Sequence, residues 1–184
     1  FPNKVFVVDN RRISITLKAS VFDAMTLIEQ GLDAKEIKEY LENDGDKSSI
    51  YLVVDTLKYL KQGGRVTPAA AAIGTVLNIK PILTIQGGKL DKFAMVTNIK
   101  SAKKKMINAI KKDIETRFAN FVKNGEFALA IAHTTNDENA EIFKQELMKE
   151  FPNIPFTYVD PLSLSIATHT GPRVLAVGGY HFVK

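Results

Sequence analysis

Apolar residues recur along the chain in two spacings, which predict strands interleaved with helices. Short and nearly continuous apolar runs at 49–54 and 127–132 predict buried strands. Apolar residues at steps of three and four predict helices, of which the longest covers 99–123. Strands at 81–85 and 89–96 are separated by a glycine pair that favours an antiparallel hairpin. We therefore predict an α/β fold with a mixed sheet.

The first 46 residues predict a strand and two helices. Residues 4–8, of which 5–8 are all apolar, predict a buried strand. The first helix is expected to begin after Ser20 as its N-cap. Its apolar stripe is Val21, Ala24, Met25 and Ile28. The second helix, at 34–42, has Asp33 in the capping position, and the polar stretch 43–47 that follows is the clearest domain boundary.

Composition narrows the possible classes of protein. The chain has 184 residues, 24% of them charged, and its uninterrupted apolar runs, such as those at 69–73 and 127–132, are far shorter than the roughly 20 residues that cross a bilayer. We therefore predict no membrane span. The absence of cysteine excludes disulfide scaffolds and thiolate chemistry and favours a cytoplasmic protein. The formal net charge of +5 can attract an acidic partner but identifies none.

Three histidines are candidates for chemistry. His169 lies between two threonines, Thr168 and Thr170, and before Gly171-Pro172, so this segment either binds an anion or carboxylate or simply builds a turn. His133 closes a predicted strand, where it is either a site residue or a helper in capping the next helix. His181 is expected at the surface or in packing. The histidines are too far apart in sequence to suggest a metal site.

A second candidate is the segment Gly63-Gly64-Arg65, which precedes a predicted helix at 69–77. Helix N-termini attract anions, and an arginine side chain can bind a carboxylate or phosphate through two hydrogen bonds. The segment lacks the spacing of a P-loop, and the chain contains no dinucleotide-binding glycine fingerprint. The helix at 69–77 carries no charge, so we expect it to be buried or to face an apolar ligand.

Lysines 103–105, 111 and 112 form a basic cluster on the long predicted helix. Such a cluster belongs either to a solvated face or to a surface that binds nucleic acid or an acidic protein. No exposed aromatic residues are interleaved with these lysines, so the pattern favours the solvated face.

Several short motifs, taken together and in order, resemble the DegV family of bacterial fatty-acid-binding proteins. They extend over nearly the whole chain. The matching segments are Val7-Val8-Asp9, LIEQG at 27–31, TLKYLKQGGRV at 56–66, LNIKPIL at 77–83, GGK at 87–89, Lys103-Lys104 and HTGP at 169–172. Arg173 departs from the family pattern, because it stands where the family usually has a glycine.

The resemblance implies a two-domain fold that holds one long-chain, palmitate-like fatty acid between two α/β domains. On this basis, residues 1–46 are a remnant of the N-terminal domain and residues 47–184 a complete C-terminal domain. His169, Arg65 and Thr170 are the expected carboxylate contacts. The helix at 69–77 is the expected wall for the acyl chain. Its pocket residues are Ile73, Val76 and Leu77.

The resemblance also implies a carrier rather than an enzyme. Such a carrier would serve lipid transport or fatty acid activation, with a fatty acid kinase subunit as its protein partner, and it would need no cofactor or metal and bind no nucleic acid. The residues by themselves leave an alternative open. A small enzyme acting on a phosphorylated metabolite would use His169 as acid or base and Arg65 as the anion clamp.

Overall fold

Six strands form one mixed sheet in the computed structural model, which describes residues 4–68, 79–86 and 90–184. The strands are β1 (Ser48–Val53), β2 (Lys80–Ile85), β3 (Leu90–Val96), β4 (Phe127–His133), β5 (Phe156–Pro161) and β6 (Leu175–His181). Their order across the sheet is β3-β2-β1-β6-β4-β5. Only the β4–β5 pair is parallel among the pairs formed by these strands. The predicted mixed sheet and the predicted antiparallel neighbours β2 and β3 are confirmed.

Seven helices lie in the described ranges of the chain. They are α1 (Ile15–Glu29), α2 (Ala34–Asp44), α3 (Lys58–Gln62), α4 (Ile99–Glu115), α5 (Ala119–Asn124), α6 (Asp137–Glu150) and α7 (Leu164–Thr170). Together with the sheet they confirm the α/β fold class. None of these helices is long and apolar enough to cross a membrane.

Each face of the sheet is covered by helices, because strand side chains alternate between the two faces. On one face, residues of α4 and α6 such as Met106 and Phe143 pack against Tyr51 and other strand residues. On the other face, Ile15 of α1 and Leu60 of α3 pack against small and branched strand residues. All seven residues of β4 are buried, which confirms the prediction that this strand is covered on both sides.

The prediction of one long helix at 99–123 is wrong, because the chain forms two helices there, α4 and α5. The chain leaves helical geometry at Thr116, where φ is −121° and ψ is −84°, and resumes a helix at Ala119. The interruption brings Phe118 into the core, where it is 2% exposed and its ring centroid lies 5.0 Å from that of Phe127. A periodic apolar pattern continues through the break, so the sequence does not reveal it.

The predicted start of the first helix is also wrong. Helix α1 begins at Ile15, and Ser20 lies inside it, buried, where its hydroxyl oxygen accepts hydrogen bonds from the side chains of Asn10 and Arg12. The predicted apolar stripe is largely exposed to solvent. The exposed members are Val21, Met25 and Ile28. The buried face combines Ile15, Ala19 and Leu27 with the polar Thr16, Ser20 and Asp23.

The strand predicted at 4–8 is absent from the structure. This segment lies outside any helix or strand and runs beside α2, where Lys38 donates to the carbonyl oxygen of Val7 at 2.6 Å. The backbone N–H of Asp9 donates to Oε1 of Glu42 at 2.9 Å. A strand requires a neighbour for its backbone hydrogen bonds, and within the described residues none lies beside the segment.

Helix α2 confirms the sequence signal at its start. The Asp33 side chain accepts from the backbone N–H groups of Lys35 and Glu36, and the Glu36 side chain accepts from the Asp33 backbone N–H, forming a reciprocal capping box.

A buried ion cluster joins these first helices to strand β6. Nη2 of Arg12 lies 2.6 Å from Oδ2 of Asp44, and Nη1 lies 3.6 Å from Asp23. Nδ1 of His181 lies 2.8 Å from the other Asp44 oxygen, so His181 is a buried member of the cluster and not a surface residue. The cluster bridges the predicted domain boundary at 46/47, which stays a prediction.

The pKa values of the two carboxylates of this cluster are shifted in opposite directions. For Asp44, burial acts to raise the pKa, but the hydrogen bond with His181 and the charge of Arg12 outweigh it, and the pKa lies below its ordinary value. For Asp23, burial prevails over the backbone N–H of Val183 and the charge of Arg12, so its pKa is raised. Asp44 is therefore the carboxylate that stabilises the fold in its ionised form.

The lowered pKa of Asp44 predicts an acid-sensitive contribution to stability. Because its folded pKa lies below that of the unfolded chain, about 3.9, the contribution is present above that value and is lost as the pH falls through the folded pKa. We expect Asp44→Asn to be less stable at neutral pH and to lose less stability on acidification than the wild type. Urea midpoints measured between neutral pH and about pH 3 test this. The exposed Asp46→Asn is the control, and equal acid dependence in Asp44→Asn and wild type would contradict the assignment.

A candidate anion-binding cavity

One cavity of about 550 Å³ brings together residues from four parts of the chain. Its walls come from the segment before α1, from α3 and the loop after it, from strands β2 and β3, and from α7. All three residues predicted to contact a carboxylate, His169, Arg65 and Thr170, line this cavity. Arg65 is far in sequence from His169 and Thr170, so the tertiary structure is what brings it to the same cavity. Their role in binding a ligand stays a prediction.

Glycines in the loop after α3 allow the His169 imidazole to pack against the backbone of that loop. A Cβ placed on Gly63 would lie 2.3 Å from Nδ1 of His169, so the imidazole packs directly on the backbone there. Gly64 has a φ of +63°, in the left-handed region that glycine adopts without strain. The Gly63-Gly64-Arg65 sequence therefore turns the chain out of α3 and leaves room for the imidazole, which places Arg65 and His169 on the same cavity.

The polar groups of the cavity differ in whether they already have partners. Arg12 is held in the buried cluster, and Arg11 pairs with Asp46 at 3.2 Å. Within the described part of the chain, the Arg65 guanidinium and the His169 imidazole make no hydrogen bond or ion pair. These two side chains have donors available for an anion, whereas the donors of Arg11 and Arg12 are at least partly used.

Thr170 and His169 lie in the last turn of α7 and not in the turn that the sequence predicts. The chain turns after Thr170, at Gly171, where φ is +83°. Thr170 is buried, and its hydroxyl donates to the carbonyl oxygen of Ile166 at 3.3 Å. With that proton engaged, the Thr170 hydroxyl is oriented by the helix and is a weaker candidate donor than His169.

An apolar recess of about 60 Å³ adjoins the cavity on the side of the sheet. The two spaces share walls formed by Ile13, Ile85, Leu90, Ile166 and Thr170. Deeper in the recess the walls are almost entirely aliphatic. They include Ile15, Ile50, Leu52, Leu162 and Ala176. The cavity thus offers cationic and hydrogen-bonding groups, and the adjoining recess offers aliphatic side chains.

Sequence patterns alone did not identify these apolar wall residues. Ile13, Ile85, Leu90 and Ile166 come from four different elements, and no local spacing distinguishes them from ordinary core residues. The pocket residues that the resemblance implies, Ile73, Val76 and Leu77, and the helix predicted at 69–77 lie outside the described residues.

Other candidates lie away from the cavity. His133 is buried at the end of β4, its Nδ1 has no hydrogen-bond partner among the described residues, and its Nε2 lies 3.9 Å from Asp137. Lys103, predicted on a solvated face, is buried and paired with Glu146 at 2.6 Å, so that prediction is wrong for this lysine. In the ranges that the structure describes, no group of three or more acidic or histidine side chains is arranged to hold a metal ion.

Arg173 has a backbone conformation that explains the usual glycine at its position. Its φ is +57°, which costs a non-glycine residue roughly 1 kcal/mol or more. The side chain pairs with Asp55, which also contacts Lys80. Burial acts to raise the pKa of Asp55, but hydrogen bonds from Lys80 and Arg173 outweigh it and lower the pKa.

Comparison with known sequences identifies the family. A family profile described as an uncharacterised protein of the DegV family matches residues 1–181. The chain belongs to the DegV family. A DegV domain-containing protein of Clostridium perfringens is 31% identical over 172 residues, which is 93% of this chain and 56% of the relative. The chain therefore spans little more than half the length of this relative.

Solved DegV structures share the fold. A fatty-acid-binding DegV family protein from Streptococcus agalactiae superposes with a TM-score of 0.81 at 26% identity, covering 97% of this chain and 60% of that one. A fatty-acid-binding DegV family protein from Thermus thermophilus gives a TM-score of 0.82 at 26% identity, covering 98% and 62%. The DegV resemblance found in the sequence motifs is confirmed.

Proposed function

We propose that this DegV chain binds a long-chain, palmitate-like fatty acid, with the carboxylate at His169 and Arg65 beside Thr170. The observation that carries the proposal is a pair of donors, Arg65 and His169, which have no partner among the described residues and lie on a cavity that also has five aliphatic side chains in its walls. The fatty-acid binding of the Streptococcus agalactiae and Thermus thermophilus proteins supports it.

The two parts of the cavity have different energetic roles. Each buried methylene contributes about 0.8 kcal/mol, so a long tail supplies most of the affinity. A hydrogen bond to a charged group contributes about 1.5–3 kcal/mol, which is enough to orient the carboxylate at His169 and Arg65. The helix predicted at 69–77, with Ile73, Val76 and Leu77, supplies further tail contacts in this proposal.

The proposed role is that of a carrier which does not itself transform the lipid. Ser165, a hydroxyl on the cavity wall, hydrogen-bonds to Ser163 at 3.0 Å and is not paired with His169 as a nucleophile would be. In this role the protein works in the cytoplasm and presents the carboxylate to a fatty acid kinase subunit. The division into a first domain ending at residue 46 and a second domain at 47–184 belongs to the same proposal.

Ligand analysis and two substitutions test the proposal. Organic extraction of the purified protein is expected to release a long-chain fatty acid, and native mass spectrometry is expected to show one bound palmitate per chain. His169→Gln and Arg65→Gln should each weaken palmitate binding by about 10- to 100-fold, because the glutamine amide does not place a donor where the imidazole or the guanidinium places one for the charged carboxylate. Lys104→Gln removes the same charge as Arg65→Gln from an exposed position on α4 and should leave affinity unchanged.

Comparing fatty acids of different length separates the contribution of the carboxylate to affinity from that of the acyl tail. Octanoate should bind far more weakly than palmitate to the wild type, because its shorter tail buries fewer methylenes. The ratio of the dissociation constants of His169→Gln and the wild type should be similar for both acids, because this substitution changes only the contact with the carboxylate. Finding no extracted acyl chain and no palmitate uptake would overturn the proposal. Equal affinities for Lys104→Gln, Arg65→Gln and His169→Gln would overturn the assignment of the carboxylate site.

A further inference from the structure

Backbone strain is concentrated around the cavity and in two loops beside it. Four non-glycine residues in the described ranges have a positive φ. Arg11, at +56°, lines the cavity, and Ser14, at +55°, lines the adjoining recess. Thr135, at +44°, lies in the loop after β4, and Arg173, at +57°, lies in the turn after α7. Such conformations persist only where surrounding contacts hold them, and they are frequent at functional sites.

Hydrogen bonds join the loop after β4 to the turn after α7. The N–H of Thr134 donates to the carbonyl oxygen of Val174 at 3.2 Å, and the N–H of Arg173 donates to the carbonyl oxygen of Thr134 at 2.8 Å. The side-chain amide of Asn136 donates to the carbonyl oxygens of Arg173 and Val174 at 3.3 and 3.4 Å. The turn that follows His169 is therefore fastened to the end of β4.

The side chain of Thr134 makes two further hydrogen bonds to the same turn. Thr134 is 7% exposed, and its hydroxyl donates to the carbonyl oxygen of Gly171 at 2.8 Å. The same hydroxyl oxygen accepts from the backbone N–H of Val174 at 3.0 Å. Removing a buried hydroxyl leaves both of its backbone partners unsatisfied. Gly171 comes directly after α7, so this hydroxyl fixes the point at which the helix ends.

Helix α3 lies against the opposite side of the turn. A Cβ on Gly171 would lie 2.5 Å from Cδ2 of Tyr59 in α3, so the ring packs directly on this glycine. The imidazole of His169 packs on Gly63, which comes directly after the same helix. The end of α7 is thus enclosed between Thr134 and α3. A displacement of Gly171 would carry His169 with it and change the direction of the imidazole toward the cavity.

We propose that Thr134 is a positioning residue for the carboxylate site, because its hydroxyl fixes Gly171 and thereby the direction of the His169 imidazole. Thr134 is not among the described residues that line the cavity, so it acts through the turn and not on the ligand. The inference rests on the proposed fatty-acid site and adds a residue that holds one of its carboxylate contacts in place. Thr134 and Gly171 are 37 positions apart, so no local motif points to this role.

Palmitate affinities of hydroxyl variants test the proposal. Thr134→Val loses the hydroxyl and should weaken palmitate binding by about 5- to 10-fold, because the imidazole is displaced but not removed. Thr134→Ser keeps the hydroxyl and should bind within about two-fold of the wild type. Thr157→Val is the matched control, because the Thr157 hydroxyl also donates to a carbonyl oxygen of β4, that of Leu129 at 3.1 Å, but Thr157 does not line the described cavity. It should lose stability and keep its affinity for palmitate.

Two comparisons separate positioning from a general loss of stability. In the His169→Gln background, Thr134→Val should cause no further loss of palmitate affinity, because the contact that it positions is already absent. The alcohol 1-hexadecanol has a tail of the same length and no carboxylate, so Thr134→Val should change its binding by less than about two-fold. Equal losses for palmitate and 1-hexadecanol, an additive loss in the double variant, or an equal loss in Thr157→Val would each overturn the proposal.

A measurement without ligand keeps this inference separate from the proposed function. The chain has three histidines, so the ring proton signal of His169 in NMR spectra can be assigned by its loss in His169→Gln. Thr134→Val should shift this signal, whereas Thr134→Ser and Thr157→Val should not. A wild type that binds no palmitate would overturn the proposed function. An unshifted His169 signal in Thr134→Val would overturn the positioning role whether or not palmitate binds.

Asn136→Ala is the second variant if Thr134→Val does not fold. The Asn136 amide makes longer contacts to the same turn, and its side chain makes no capping hydrogen bond to the described residues of α6, so the helix should tolerate its loss. We expect a shifted His169 signal and a loss of palmitate affinity of about two- to five-fold. An unshifted signal with unchanged affinity would overturn the proposal.

Discussion

Replacing Arg12 by methionine is expected to destabilise the protein by about 3–5 kcal/mol. The guanidinium is 1% exposed and lies between the carboxylates of Asp44 and Asp23, with a further hydrogen bond from Nη2 to the Asp44 carbonyl oxygen at 2.8 Å. Methionine fills much of the same space but removes the cation that lies between the two buried carboxylates. Asp44 keeps its contact with Lys47 at 3.0 Å, whereas Asp23 loses the charge of Arg12. Urea denaturation at neutral pH measures the loss.

A neighbouring arginine provides the control for this substitution. Arg11→Met removes the same charge, but its partner Asp46 is largely exposed and the pair lies at the surface. Exposed pairs contribute between nothing and about 1 kcal/mol, so the control should change stability little. In the Arg12→Met background, Asp23→Asn should recover part of the loss by removing a buried carboxylate that no longer lies beside the Arg12 cation. Equal destabilisation by Arg11→Met and Arg12→Met would show that the cluster is not what stabilises this end of the fold.

Gly45→Ala is expected to destabilise the protein by about 1–3 kcal/mol through overpacking, although alanine normally favours helical geometry. Gly45 follows α2 with φ −51° and ψ −43°, where alanine carries no backbone strain. A Cβ at this position would lie 2.3 Å from the carbonyl oxygen of Asn10, a backbone atom that cannot rotate away. The segment carrying Asn10 must therefore shift.

Asn43→Ala is the matched control, because Asn43 is an exposed residue near the end of α2. Its change should be neutral or slightly stabilising, since alanine has the higher helix propensity. Thermal unfolding of both variants compares the two effects. A Gly45→Ala protein as stable as the wild type would mean that Asn10 can move without cost, contrary to its buried hydrogen bond with Ser20 at 2.9 Å.

These two substitutions also bear on the candidate site. Asn10 and Arg12 anchor the segment that supplies Asp9, Arg11 and Ile13 to the cavity wall. A shift of this segment should change the shape of the cavity even though Arg65 and His169 lie on other elements. The buried cluster and the cavity are therefore structurally coupled through one short stretch of chain.

The sequence by itself determined the features that depend on local patterns. The alternation of buried strands and amphipathic helices predicted the α/β fold, and Asp33 with Glu36 predicted the start of α2. The ordered motifs identified the DegV family, and with it drew attention to Arg65, His169 and Thr170, which the structure brings to one cavity. These signals can be read from the sequence alone because helix caps, strand periodicity and family motifs each extend over only a few residues.

Only the tertiary structure decided which apolar face of α1 is packed. A periodic pattern shows that a face is apolar but not which surface covers it, and the face predicted from Val21, Met25 and Ile28 is exposed in this chain. The break before α5 likewise depends on Phe118 reaching Phe127, a contact that no local spacing encodes. Lys103 is buried because Glu146 lies on the neighbouring helix α6.

The buried ion cluster is the clearest case of contacts between residues that are distant in sequence. Arg12 and Asp44 are 32 positions apart, and Asp44 and His181 are 137 apart, so each looks like an ordinary polar surface residue in sequence. A buried charge is tolerated only when folding supplies its partner, and that partner is defined by three-dimensional packing. Local pattern thus determined the elements and the family, whereas long-range contacts decided which charges are buried and which face of α1 is packed.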